Sequence, residues 1–194
     1  MLNSDMIPPD SAMLTEMRAY LHMEEGEDDP SLPSILLAAT GWCEQYLRQF
    51  LIRRRVRQIL PASTRWQSFD AQPVMAVESV SVVEEDGTPT ILPPGDYEVR
   101  IRADGIAEMR LRRILAGQSR VEMACQAGIA TGWAELPELL RLGIMRVAAH
   151  YFAHRDGADP GAAQPPVAAT ILLRPWRRMD IGGRDASAPK AGWL

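Results

Sequence analysis

Apolar positions recur at helical spacing near both ends of the chain and at strand spacing in its middle. In "DSAMLTEMRAYLHM", Met13, Leu14, Met17 and Leu21 fall on one side of a helix, with Asp10 or Ser11 placed to cap its start. The run "EEGEDDP" ends that helix through Gly26 and Pro30. From about Ser31, the residues Leu32, Ile35, Leu36, Ala39, Cys43, Tyr46 and Leu47 form one stripe of three turns or more.

The period then shortens. "RRRVRQIL" and "TRWQSF" read as short strands, and "VMAVESVSVVEEDGTPTIL" alternates Val77, Ser79, Ser81 and Val83 against Glu78, Val80, Val82 and Glu84. Its Glu-Asp-Gly turn is a hairpin signal. "GDYEVRI", "AEMRL" and "SRVEMACQAG" add further strands, each too short to be stable alone, so residues 54–130 are expected to form one antiparallel sheet or a small barrel. Helical spacing returns over 137–154, where Leu140, Ile144, Val147, Ala148 and Tyr151 form the apolar stripe and Pro137 and Glu138 suit the first turn. "DGADPGAAQPP" reads as a loop and "VAATILLRPW" as a short helix halted before Pro175. The predicted fold is α+β. Residues 1–52 carry N-terminal helices, 53–130 a β-rich insertion, 131–180 helices that complete the core, and 181–194 an extended tail.

Composition narrows the function. The 194 residues carry 25 acids and 21 bases, a net charge of −4, which argues against wholesale nucleic-acid binding and leaves room for a local basic face. Residues 1–30 hold eight acids and one base. Of the bases all but Lys190 are arginine. Cys43 and Cys125 lack CxxC spacing and read as buried thiols in a reducing compartment. No run approaches the ~18 apolar residues of a membrane span. The first residues lack the basic start and apolar stretch of a signal peptide, so the chain is expected to be soluble and made in the cytoplasm, with no membrane partner.

Catalytic signals are weak. His150 and His154 lie one helical turn apart, as zinc ligands do, but a third ligand and a neighbouring glutamate are missing. The expectation is two histidines at a helix end and no bound metal. "HRD" at 154–156 has no glycine-rich loop or DFG to accompany it, "AGIATG" lacks the lysine of a phosphate loop, and no GxSxG or apolar carboxylate pair is present. Neither an enzyme nor a cofactor is expected.

Two basic clusters remain, "RRRVR" at 53–57 and Arg110, Arg112 and Arg113. On a strand Arg53, Arg55 and Arg57 share one face, a strip for DNA phosphates or for an acidic surface of a neighbouring subunit. A DNA-binding accessory protein using that strip is the alternative function.

Four stretches together resemble the head-tail connector (adaptor) proteins of long-tailed phages and gene transfer agents. They are "EEGEDDPSLPSILLAATGWCEQYL", "QPVMAVESVSVVEEDGTPTILPPGDYEV", "VEMACQAGIATGWAELPELLRLGIMRVAAHYFAHRD" and "LLRPWRRMDIG", covering most of residues 24–182. Ile129 departs from the family's usual aromatic after Ala-Gly, and Ala39 and Thr40 stand where it has a basic residue. The resemblance implies a structural subunit of the particle neck, in a twelve-fold ring beneath the portal. Such a ring extends the DNA channel, passes DNA without sequence specificity and docks a stopper or other tail-side connector. It also implies that the C-terminal segment engages the portal, which makes Arg174, Trp176, Arg177, Arg178, Arg184, Lys190, Trp193 and Leu194 the expected contact residues.

The tail is physically suited to that role only in company. Burying one Trp removes ~150–250 Å² from water, worth roughly 4–6 kcal/mol as an upper bound. Ordering residues 181–194 costs about 1 kcal/mol or more for each. Trp193 and Leu194 therefore need further contacts and a ring that presents many tails at once.

Overall fold

The computed structural model describes residues 2–24, 29–84, 87–113, 120–155 and 165–178. Its described residues are α+β, with every strand ladder antiparallel. The chain divides into two compact units and visits each more than once. The described part of one unit comes from residues 2–6 and 53–129, and that of the other from 7–52 and 130–178.

The first unit is all β. Its strands are β1 (Leu2–Ser4), β2 (Arg54–Pro61), β3 (Gln67–Ser68), β4 (Val74–Val83), β5 (Pro89–Ile91), β6 (Tyr97–Ile101), β7 (Ala107–Leu111) and β8 (Arg120–Ala127). One sheet has the order β1-β2-β8-β4-β5 and the other β3-β7-β6. β2 pairs with β8 without interruption from Arg54↔Ala127 to Pro61↔Arg120, burying Val56, Leu60, Val121, Met123 and Cys125. The β4–β5 hairpin forms as the sequence suggests, although Glu85 and Asp86 of its turn lie outside the described residues. Simple alternation fails along β4. Val80, Ser81 and Val82 are buried in succession, and the register against β8 shifts between Val74 and Ala76 and between Val77 and Ser79. β6 and β7 are joined through Gly105, whose φ of +75° suits a residue without Cβ, while the Asp104 carboxylate accepts from the Ile106 N–H. β1 was not expected. Its three residues lack any alternation of their own and are held by their ladder to β2.

The second unit is helical, with α1 (Ser11–Tyr20), α2 (Leu32–Leu47), α3 (Glu138–Ala153) and α4 (Val167–Leu173). The Asp10 carboxylate caps α1 by accepting from the Met13 N–H at 2.8 Å. Met13 and Met17 of α1, Leu32, Leu36, Ala39, Cys43 and Leu47 of α2, and Leu140, Ile144, Val147 and Ala148 of α3 form the buried stripes. Between α3 and α4 the approach is close. A Cβ on Gly143 would stand 2.7 Å from Leu173 Cδ2. Pro175 does not stop the last helix cleanly, because a 3₁₀ turn over Arg174–Trp176 continues through it. A proline at the start of a new turn lacks only an N–H that had no partner to find. No helix among the described residues is long and apolar enough to cross a membrane.

Candidate docking surface

Several contacts gather at the C-terminal end of α2. The helix ends on Arg48, a non-glycine residue with φ 56° and ψ 38°, whose N–H reaches back to the Gln45 carbonyl. The left-handed cap turns the chain sharply, and the buried Glu44 carboxylate then accepts from the Leu51 N–H at 2.9 Å. Against this end lies the start of the C-terminal segment. Gln49 Nε2 donates to the Trp176 carbonyl, and the Arg178 N–H donates to the Leu47 carbonyl at 3.2 Å. The Arg177 guanidinium stacks over Tyr46 at 4.9 Å from the ring centroid, and Tyr46 stacks on Trp42 at 5.2 Å with 16° between planes. Trp42 and Tyr46 are i and i+4 on α2, so the helix itself sets their spacing.

Arg48, Arg174 and Arg177 are exposed at this end, and none has a carboxylate partner among the described residues. Trp176 is half-buried beside them. The result is a positive, aromatic surface of the composition that interface hot spots favour. Arg174, Trp176, Arg177 and Arg178 are among the portal contacts expected from the sequence, whereas Arg48, Trp42 and Tyr46, which lie with them at the end of α2, were not named there. The available signal was the i, i+4 aromatic pair followed at once by a basic residue at the helix end.

The remaining expected contact residues divide in two. Arg184, Lys190, Trp193 and Leu194 lie outside the described residues. Arg55 and Arg57, two apart on β2, share a face of that strand, while Arg53 precedes it. Arg55 is already paired with Glu78 at 2.7 Å, and Arg57 is exposed. The second basic cluster is likewise engaged. Arg110 and Arg112 pair with Glu98 at 2.6 and 3.5 Å, Arg113 with Asp96 at 3.1 Å, and Arg100 with Glu108. Arg100 and Arg110 also stack on Trp66, at 4.2 and 4.8 Å from its ring.

At the other end of α2, Asp29 accepts from the Ser31 hydroxyl and N–H at 2.6 and 2.8 Å and from Arg155 Nη1 at 2.6 Å. The Ser31 hydroxyl bond is the largest cause holding this carboxyl below its ordinary range, followed by the Ser31 N–H. The His150 and His154 rings lie 4.3 Å apart between centroids, tilted by 40°, with His154 Nδ1 2.8 Å from the His150 carbonyl. Among the described residues no three His, Cys, Asp or Glu side chains gather in a metal-binding group. Both cysteines are buried and free. Burial pushes the Cys43 thiol well up, with the Glu44 charge adding, and pushes Cys125 up to about 12, with Glu78 adding.

No protein-family model matches the chain, and no curated protein matches it. Solved structures do. The α+β fold is that of chains from particle necks. One such chain, from the neck of an empty gene transfer agent particle computed with C6 symmetry, has a TM-score of 0.75 and 26% identity over 95% of this chain and 98% of its own. A chain from the neck of the native particle computed with C12 symmetry has a TM-score of 0.74 and 28% identity over the same shares. A chain from the virion of the native gene transfer agent particle matches at a TM-score of 0.73 and 27% identity, again over 95% of this chain and 98% of that one. These matches agree with the resemblance to head-tail connector proteins carried by the four sequence stretches.

Proposed function

We propose that this chain is a structural subunit of the neck of a phage-like particle, an adaptor that assembles as a ring between the portal and the tail-side connectors. The observation that carries the reading is full-length similarity to chains of gene transfer agent necks, at 26–28% identity over 95% of the chain. The C6 and C12 symmetry of those necks supports a ring of identical copies. The part played is scaffolding and docking, without catalysis, and DNA passes through the ring without being read.

In this reading the C-terminal segment leaves the helical unit at Arg174, Trp176, Arg177 and Arg178, which root it on α2. Arg184, Lys190, Trp193 and Leu194 then make the portal contact. Residues 179–194, extended at about 3.3–3.6 Å each, reach roughly 53–58 Å, enough to cross onto an adjacent ring. A pull-down with the cognate portal, comparing the full chain with one truncated after Gly182, tests this. Full-length binding that the truncation loses is the expected result. Equal binding by both would place the anchor in the folded body, and binding by neither would remove the portal from the reading.

A further inference from the structure

Two helical faces of the second unit meet solvent without charge. On α4 the exposed positions are Val167, Ala168 and Ile171, and Arg174 and Pro175 prolong the same side into the 3₁₀ turn. Val167 is 73% exposed and Ile171 65%, so two β-branched apolar side chains, one turn apart, form an outward ridge. Ala169 and Leu173 on the inner side are buried, Leu173 beside Gly143 of α3, so α4 is already seated without that ridge. On α2 the exposed positions are Pro33, Ser34, Ala38 and Gln45. At about 100° per residue, Ser34, Ala38 and Gln45 fall on one line along the helix. Half-buried Ile35 and Trp42 flank that line on one side, and half-buried Leu37 and Gly41 on the other. Charged residues make up 24% of the chain, yet the 16 residues of α2 include a single one, Glu44, which is buried, and α4 has none. A helix face turned permanently to water carries charge as a rule.

We propose that the Val167–Ile171 ridge of one copy seats on the Ser34–Ala38 face of α2 in the next copy, in a head-to-tail contact. The spacing fits, because both pairs are i and i+4, about 6 Å along a helix axis. A Cβ on Gly41 would meet nothing within 4 Å, so the space beside Ala38 is open to an incoming side chain. The occupant is a second copy because one chain presents both uncharged faces, ridge and seat, in equal number. A contact between two different faces of each protomer, repeated by a rotation, closes a ring. The inference rests on the ring reading above. The 7 residues of α4 are about 10 Å long and about 10 Å across, a footprint on the order of 100 Å² against about 800 Å² for each partner of a standard interface. The ridge alone therefore does not hold free copies together. It acts once the portal has gathered them side by side.

The test is assembly on purified portal, followed by negative-stain imaging and by counting copies per portal in native mass spectra. The fold of each free variant is checked by its urea midpoint. Ile171→Lys is expected to leave single copies bound and to reduce closed rings about tenfold or more, because it buries an unpaired charge at every contact. Ala38→Glu is expected to do the same from the other face. Both changes in one chain are expected to recover rings, since opposite charges then face each other across the contact. Ile171 and Ala38 are exposed in the single copy, so the midpoints are expected to stay near that of the wild type. If Ile171→Lys unfolds the chain, Val167→Lys, at the more exposed position of the same ridge, takes its place. Closed rings at wild-type level from either single variant overturn the proposal while leaving the adaptor reading intact. So does a loss in both without recovery in the double variant. If a ridge variant no longer joins the portal even as single copies, the ridge is a portal contact and the proposal falls. If the wild-type chain fails to join the portal at all, the adaptor reading falls and the proposal with it.

Discussion

Glu16 accepts the indole N–H of Trp133 at 2.7 Å, and Arg141 stands 3.4 Å from the same carboxylate oxygen. Trp133 is only 1% exposed, so its single donor depends on that bond. Removing the acceptor strands a buried N–H, which costs more than the bond contributes when both partners are present. Glu16→Ala is therefore expected to destabilise the chain by about 1–3 kcal/mol, and Glu16→Gln, which keeps an oxygen in place, by about 1 kcal/mol. Urea midpoints of the three proteins decide it, and equal losses would show that the charge rather than the hydrogen bond matters. Neither partner was legible as a pair. They are 117 residues apart, and nothing local in "LTEMRAY" or "TGWAEL" marks the side chains as neighbours.

Among the elements, the α3–α4 contact turns on Gly143. A methyl group there would meet Leu173 Cδ2 at 2.7 Å, and Leu173 is fully buried. Two effects oppose one another in Gly143→Ala. Helix propensity favours alanine by about 1 kcal/mol, while overpacking costs about 1–3 kcal/mol. The clash should win, giving a net loss of up to about 2 kcal/mol. In a Leu173→Ala background the obstacle is gone, and the same substitution should become stabilising by about 1 kcal/mol. Thermal or urea unfolding of the four proteins in this cycle gives the sign directly, and a loss in both backgrounds would refute the packing account. The elements with strong periodicity were legible. The stripe over 137–154 becomes α3, and the alternating runs become β2, β4, β6, β7 and β8. What escaped depends on distant partners. β1 exists through its ladder to β2, and the run Val80–Ser81–Val82, in regular register with β8, is buried at three successive positions, which no local period records.

For the whole molecule the question is where uncompensated positive charge remains, because that separates an adaptor from a DNA-binding accessory protein. The sequence shows every arginine cluster but not which are already neutralised. Glu78 lies 23 residues from Arg55 in the chain and is brought beside it by the β2-β8-β4 order, and Glu98 reaches Arg110 across the β6–β7 ladder. The strip at 53–57 therefore enters any encounter with DNA with one member engaged. Were Arg53, Arg55 and Arg57 all to neutralise phosphates, log affinity would fall with log salt at a slope of about −2.7. The free full-length chain is expected to bind a 30-base-pair duplex weakly, with a slope shallower than that between 50 and 200 mM salt. Fluorescence anisotropy measures it. A slope near −2.7 that vanishes in Arg53→Ala/Arg57→Ala would move the function to DNA, since the β2 strip would then be buying phosphate contacts that an adaptor ring does not need.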